Sequence, residues 1–179
     1  MTERPLIIKG KAFVLTDING KMINSIDTDM IFHNKYVWIT DINEMGQYAL
    51  DNLEGWKDFA KCIETEKWEI LIVGQNFGAG SSRQQAVDCF KSLGIKAIIG
   101  ESFGAIYKRN AINSGMPLMQ LDNFDVASID TSDELILDLK EGKLDNQTKK
   151  NNVPIKPMSQ VQTDIYLAGD LFAYGSTID

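Results

Sequence analysis

The hydrophobic positions of this chain first indicate short strands that are buried on both faces. Residues 69–74 and 96–100 are apolar runs without alternation, a pattern typical of strands in a covered parallel sheet. Residues 6–15 are rich in β-branched and aromatic side chains and predict a longer strand near the start. Residues 116–120 predict a further short strand.

Helical spacing marks the segments between these strands. Residues 84–93 place their apolar side chains on one stripe, and Gly94 follows as a C-terminal stop. Residues 103–113 predict a second helix, which ends before Gly115. Because residues 69–100 then form a strand–loop–helix–strand unit, they predict parallel strands with a right-handed crossover. The fold class indicated is α/β.

The other segments predict smaller elements. The polar run 24–29 predicts a loop that enters a short strand, and residues 41–62 are helical in pattern with a division at Gly55. After residue 120 the pattern changes to short strands at 135–139 and 153–155, with an exposed hairpin over 145–152. A last helix is predicted over 161–167, with a stop at Gly169.

Composition and charge limit the class of protein. The chain has 179 residues, of which 44% are hydrophobic and 24% charged, so it is long enough for one globular domain. No apolar run approaches the roughly 20 residues that span a bilayer, and the first residues lack a signal-peptide pattern. A formal charge of −7 argues against nucleic acid as the main partner. We expect a soluble cytoplasmic protein that binds neither nucleic acid nor membrane.

Few residues of the chain are suited to holding a metal. There are two cysteines, Cys62 and Cys89, and one histidine, His33. Two cysteines cannot supply the thiolates of an iron–sulfur cluster, and no cysteine or histidine has zinc-ligand spacing. We therefore expect that this chain itself binds no metal or cofactor, and that any metal in its chemistry is held elsewhere.

A glycine-rich loop carries the strongest signal for chemistry. Residues 74–83 are Gly-Gln-Asn-Phe-Gly-Ala-Gly-Ser-Ser-Arg and lie between a buried strand and a helix start. The glycines let the backbone approach an anion, Ser81 or Ser82 can cap the helix, and Arg83 suits a carboxylate or phosphate. The P-loop lysine and the third Rossmann glycine are both missing. A simple turn with a helix cap is the alternative function of this loop.

Three further places are weaker candidates. Asp27 and Asp29 bring two carboxylates close together in sequence, but such a pair is more typical of an Asx turn. His33 lies in a short apolar stretch, where a histidine is more often a packing residue than a base. Arg109 and Asn110 could face the glycine-rich loop from the next helix, or they could belong to a solvated helix face.

Four segments in order carry a resemblance to a known family. They are Ile-Asp-Thr-Asp-Met-Ile at 26–31, Asn-Phe-Gly-Ala-Gly-Ser-Ser-Arg at 76–83, Gly-Ile-Lys-Ala-Ile-Ile-Gly-Glu-Ser-Phe at 94–103 and Arg-Asn-Ala-Ile-Asn-Ser-Gly-Met-Pro-Leu at 109–118. Together they resemble the 3-isopropylmalate dehydratase small-subunit family, the stand-alone swivelling domains of the aconitase superfamily. The resemblance runs from about residue 10 to residue 169 and implies one swivelling β/β/α domain over residues 1–179.

The resemblance also implies a division of roles between two chains. The domain would close over a large partner subunit that carries a [4Fe–4S] cluster, and the heteromer would act as a hydro-lyase on a small 2-hydroxy dicarboxylic acid. Ser81 would be the catalytic base, Asp29 would belong to the catalytic hydrogen-bond network, and Ser82 and Arg83 would bind a substrate carboxylate. A proton beside a carboxylate is weakly acidic, so this reaction needs a strong base and electrostatic stabilisation.

The segment after Asp29 bears on the choice of substrate. Relatives that use tricarboxylates carry an arginine in this loop, whereas this chain has Tyr-Val-Trp-Ile at 36–39 and no arginine between Asp29 and Asp41. An apolar lining by Val37 and Trp38 favours an alkyl group and leaves an extra carboxylate unpaired. The resemblance thus favours isomerisation of 2-isopropylmalate to 3-isopropylmalate, a step of leucine biosynthesis.

The chain departs from the family pattern at two places. Ala79 stands where a cysteine is common, and Gln84-Gln85 follows Arg83 in place of Glu-His. Three alternatives therefore stay open. They are a related methylmalate or dimethylmalate dehydratase, an aconitase or homoaconitase small subunit, and a non-catalytic anion-binding module.

Overall fold

The computed structural model describes residues 4–121 and 128–178. Its strands are β1 (Ile7–Val14), β2 (Trp68–Val73), β3 (Ala97–Gly100), β4 (Leu118–Gln120), β5 (Glu134–Asp138), β6 (Lys143–Asn146) and β7 (Asn151–Pro154). Its helices are α1 (Thr28–Ile31), α2 (Ile42–Met45), α3 (Phe59–Glu66), α4 (Gln85–Ser92), α5 (Ala105–Asn113), α6 (Gln160–Ala168) and α7 (Leu171–Gly175). Two short 3₁₀ turns cover Asn34–Tyr36 and Gly46–Tyr48.

The strands form one sheet in the order β4-β3-β2-β1-β5-β6-β7. Strands β1 to β4 run parallel to one another, and β5, β6 and β7 continue the sheet antiparallel. The sheet curls until its two ends meet. Leu121 bridges Ile155 there, and the Lys156 amide donates to the Gln120 carbonyl over 2.9 Å. Two facing β layers and an outer helical layer result, which confirms the β/β/α class.

Alternating side chains of the parallel strands build two cores. Phe13, Leu71 and Ile98 face the helical layer, where they pack against buried residues of α3, α4 and α5. Ala12 and Ile70 point to the other side, into the space enclosed by the curled sheet. Since both faces are covered, residues 70–73 of β2 and all of β3 need no polar face, which is why these stretches are apolar throughout.

Two secondary-structure predictions were wrong, and one helix was missed. The strand expected after residue 29 is the helical turn α1, because the Asp27 carboxylate accepts from the amides of Asp29 and Met30 at 2.8 Å and starts a helix there. The helical pattern over 41–62 yields only α2, a 3₁₀ turn and the beginning of α3, with a turn at Gly55, whose φ is +85°. Helix α7 had no signal in the pattern.

Candidate functional site

The glycine-rich loop lies where the parallel strands β2 and β3 end, at the edge of the sheet where α/β proteins place their ligands. Backbone bridges hold it in place from two sides. Ala79 pairs with Asp27, and Phe77 pairs with Phe103. The Gly78 amide also donates to the Ile26 carbonyl over 2.7 Å. The loop is therefore a fixed part of the fold rather than a free connection.

Gly78 is required for this loop by both its backbone and its surroundings. Its φ is +77°, a conformation that residues with a Cβ rarely adopt, and a Cβ here would collide with the Tyr107 ring. Tyr107 is fully buried on α5, and its hydroxyl donates to the Ala86 carbonyl of α4 over 3.2 Å. The same ring thus supports the loop and joins the two helices that flank it.

An ion pair joins the two motifs that the sequence analysis singled out. Nη1 of Arg83 lies 2.7 Å from Oδ1 of Asp29, and the Arg83 side chain is only 17% exposed. The same nitrogen donates to the Phe32 carbonyl over 2.9 Å. Among the described residues the contacts of Arg83 use only Nη1, so its Nε and Nη2 edge is left for a carboxylate.

The surroundings of Asp29 keep its carboxylate ionised. The hydrogen bond from Arg83 is the main cause that lowers the pKa of Asp29, and the Asn34 amide, which donates to Oδ1 over 3.0 Å, adds to it. Partial burial acts in the opposite direction and is outweighed. Asp29 is therefore suited to holding Arg83 in place and unsuited to exchanging protons near neutral pH.

The two serines of the loop are exposed, and each has a polar neighbour. Oγ of Ser81 lies 3.3 Å from Oγ1 of Thr28, a buried hydroxyl on α1. Asn110 of α5 donates to Oγ of Ser82 over 3.2 Å. The structure therefore brings Asp29, Ser81, Ser82 and Arg83 together at one edge.

The expectation that Ser81 or Ser82 caps the helix is wrong. Helix α4 begins at Gln85, Gln84 occupies the cap position, and no side chain makes a capping bond there. The two hydroxyls have other neighbours instead, Thr28 for Ser81 and Asn110 for Ser82. Both serine hydroxyls are consequently free of a capping role.

Val37 and Trp38 lie in the loop that follows α1, whose Phe32 carbonyl accepts from Arg83. Their side chains are 45% and 72% exposed. The Trp38 indole donates to the Lys35 carbonyl over 2.9 Å, and the Gln85 side chain donates to the Val37 carbonyl over 3.1 Å. Lys35, a cation of this loop, has its ammonium 3.7 Å from the Asp51 carboxylate. Val37 and Trp38 therefore present exposed apolar side chains in this loop.

The weaker candidates take different places. The His33 ring accepts from the Lys35 amide over 3.0 Å and caps the 3₁₀ turn, in line with a structural role. Of the two residues on α5, Asn110 reaches the loop, whereas Arg109 is exposed and has none of the contacts with it. Cys89 is buried, which raises the pKa of its thiol, and Cys62 is half-buried.

Other parts of the described chain offer no competing centre for this chemistry. In the ranges 4–121 and 128–178, no three His, Cys, Asp or Glu side chains converge on a point suited to a metal ion, so these residues do not fit an iron–sulfur cluster. No helix there is both long and apolar enough to cross a bilayer. A groove of about 790 Å³ lies at the opposite edge of the sheet, near the amino ends of β1, β3 and β4.

Sequence reasoning missed two residues of the site. Thr28 stands between the two acids of the Asp-Thr-Asp motif, and its position inside a motif was the one available signal. Asn52 donates to the Asp29 carbonyl over 3.2 Å and had no local signal, because it acts across the fold. Gln85, which the sequence analysis named with Gln84 as a departure from the family pattern, contacts the loop of Val37.

Comparisons with known proteins agree with this description. Residues 12–123 match the family described as the aconitase C-terminal domain. A 3-isopropylmalate dehydratase small subunit from Caldicellulosiruptor bescii is 36% identical over 94% of this chain and 95% of its own length. A methanogen homoaconitase small subunit from Methanothermobacter thermautotrophicus is 33% identical over 97% of this chain and 94% of its own. A crystal structure of 3-isopropylmalate dehydratase from Methanocaldococcus jannaschii superposes with a TM-score of 0.82 at 30% identity, covering 96% of this chain and 95% of that one.

The fold defines the class, an aconitase-type swivelling domain. Several relatives are named small subunits, which implies a larger partner subunit. The chain belongs to the aconitase C-terminal domain family and, within it, to the small subunits of 3-isopropylmalate dehydratases, a family of hydro-lyases. The resemblance stated from four sequence segments is thereby confirmed.

Proposed function

We propose that this chain is the small subunit of a heteromeric hydro-lyase that interconverts 2-isopropylmalate and 3-isopropylmalate in leucine biosynthesis. The observation that carries the proposal is the joining of Asp29 and Arg83 by a 2.7 Å ion pair beside the exposed hydroxyls of Ser81 and Ser82. This arrangement presents one oriented cation and two hydroxyls to a dicarboxylic acid. The relatives named for this activity cover almost the whole chain.

Ser81 is proposed as the base of the reaction. Its Oγ, as the alkoxide, takes the proton from the carbon beside a carboxylate, and the electron pair left behind forms the double bond as hydroxide leaves the neighbouring carbon. Thr28 supports this role, because its buried hydroxyl lies 3.3 Å from Oγ of Ser81 and can donate to an alkoxide. Return of water with the two carbons exchanged completes the isomerisation.

Arg83 and Ser82 are proposed to bind the substrate carboxylate whose negative charge grows during proton removal. The free edge of the Arg83 guanidinium suits the two carboxylate oxygens, and Asp29 fixes the plane of that guanidinium. Asn110 holds the Ser82 hydroxyl in place over 3.2 Å. These groups stabilise charge without taking up the proton themselves.

The rest of the active site is proposed to come from the partner subunit. The site residues of this chain lie open at the edge of the sheet, while proton removal beside a carboxylate needs an environment from which water is excluded. Exposed apolar side chains on nearby segments, Met30 and Trp38 among them, favour coverage by another chain. A [4Fe–4S] cluster on that partner would supply Lewis-acid chemistry to the substrate hydroxyl.

The apolar loop supports an alkyl substrate over a tricarboxylate. Val37 and Trp38 offer no cation, and the ammonium of Lys35 is engaged by Asp51 over 3.7 Å. An additional carboxylate beside Val37 and Trp38 would lose hydration, and neither residue could pair with it, whereas an isopropyl group carries no such cost. The same argument ranks citrate and homocitrate below the alkylmalates.

Reconstitution with the large subunit from the same organism tests the proposal. The purified chain, the large subunit and their anaerobic mixture are assayed with 2-isopropylmalate, methylmalate, citrate and homocitrate. We expect turnover only in the mixture and the highest kcat/KM with 2-isopropylmalate. Dehydration by this chain alone, or a preference for homocitrate, would overturn the proposed function.

A further inference from the structure

The loop that carries Val37 and Trp38 is held at two points by different side chains. At its beginning, Nη1 of Arg83 donates to the Phe32 carbonyl over 2.9 Å. In its middle, Nε2 of Gln85 donates to the Val37 carbonyl over 3.1 Å. The first fastening belongs to the ion pair of the proposed site, whereas the second has no part in binding or proton transfer.

Gln85 is placed to hold the loop at a defined distance from the reacting groups. It is the first residue of α4, two positions after Arg83, and it is half-buried. The buried stripe of α4, with Ala86 and Val87 fully covered, fixes its backbone against the sheet. The hydrogen bond from Gln85 to the Val37 carbonyl therefore fixes the loop relative to the helix.

We propose that Gln85 is a positioning residue for substrate specificity, which acts by fixing the loop that carries Val37 and Trp38 to the start of α4, two residues after Arg83. The proposal rests on the proposed function. When the amide is removed, the Val37 carbonyl loses its link to α4 and the apolar lining moves away from the alkyl group. Binding of the larger alkyl substrate then weakens, while the groups that move the proton stay in place.

The matched variants are Gln85→Met and Gln84→Met. Methionine keeps the length of the side chain and removes the donor, and the Gln84 side chain donates to the Asp88 carboxylate, one turn further along the helix, over 3.0 Å. In the reconstituted complex, Gln85→Met is expected to raise the KM for 2-isopropylmalate about 3- to 10-fold, the range that one neutral hydrogen bond supports. We expect little change in kcat, a smaller change in KM for methylmalate, and no change of either kind in Gln84→Met.

Hydrogen exchange in this chain by itself gives a second measurement that does not depend on activity. The amides of Val37 and Ile39 donate within the loop, to the carbonyls of Asn34 and Tyr36. Their exchange is expected to accelerate in Gln85→Met and to stay as in the wild type in Gln84→Met.

The proposal requires both results. Equal exchange in the two variants, or equal KM for 2-isopropylmalate, would overturn it. A wild-type complex that turns over none of the substrates would instead refute the proposed function. Because the proposal for Gln85 rests on that function, it would be overturned as well, and a change in exchange would then show only that Gln85 holds the loop.

Discussion

Asp29 and Arg83 are 54 positions apart in the sequence, and their ion pair is the link that turns two separate motifs into one site. Each partner has further contacts that fix it. Asn34 and Asn52 donate to Asp29, and Arg83 donates to the Phe32 carbonyl. Removing either charge is therefore expected to disturb the placement of the loop as well as the binding of a substrate.

The stability contributed by Asp29 should depend on pH in a defined direction. Its pKa is lowered in the folded state, so the contribution is present above the unfolded value near 3.8 and is lost as the pH falls through the lower folded value. Asp29→Asn should lower the free energy of unfolding by up to about 1 kcal/mol at pH 7, since the pair is partly exposed. Urea unfolding at several pH values measures this difference.

The difference between wild type and Asp29→Asn should shrink as the pH falls below the unfolded value near 3.8 and should vanish only below the lower folded pKa of Asp29, where both chains carry a neutral side chain. Asp58→Asn is the control, because the Asp58 side chain makes no capping bond at the start of α3. A stability difference of the same size at neutral and acidic pH would show that the charge of Asp29 does not matter.

At the scale of elements, the site depends on a loop that is closed by backbone bridges and supported by the Tyr107 ring. Gly78 and Gly20 share a φ of +77°, but nothing lies within 4 Å of a Cβ at Gly20. This pair separates two effects that usually occur together, the strain of the backbone and the clash of the added methyl group.

Gly78→Ala should destabilise the chain by roughly 2–4 kcal/mol, because the strain of the left-handed conformation adds to overpacking against Tyr107. Gly20→Ala should cost only about 1 kcal/mol, from the backbone alone. Thermal unfolding of both variants measures the difference. Equal losses would mean that the contact of Gly78 with Tyr107 contributes nothing.

The elements that could be predicted from the sequence are those determined by local patterns. The apolar runs gave β2 and β3 to within two residues, and the stripe of α4 was located with similar accuracy. The turn at residues 28–31 is an exception, since its cause is local and was not recognised: the Asp27 carboxylate accepts from the amides of Asp29 and Met30 and starts a helix there.

The candidate site follows the same rule. The motifs that contain Asp29, Ser81 and Arg83 could be selected from the sequence, and the resemblance assigned their roles. Their meeting at one edge could not be derived, since it depends on the curled sheet and on bridges such as Asp27 to Ala79. The positions of Asn52 and Gln85 required the fold for the same reason.

At the scale of the whole molecule, the architecture explains why this chain contributes only part of an active site. The curled sheet and the helical layer form two filled cores, and the proposed catalytic groups are displayed on the edge between them rather than inside a closed pocket. We infer that the chain is one half of an active site. We expect a partner subunit to cover its exposed serines and its oriented arginine.

The initial rate of the reconstituted complex with Ser81→Ala tests this account most directly. We expect turnover of 2-isopropylmalate to fall by about 10²- to 10⁴-fold, the usual contribution of a positioned base, while affinity for the large subunit is unchanged. Ser92→Ala, at the far end of α4, should keep the wild-type rate. Near-normal turnover by a correctly assembled Ser81→Ala complex would contradict the account.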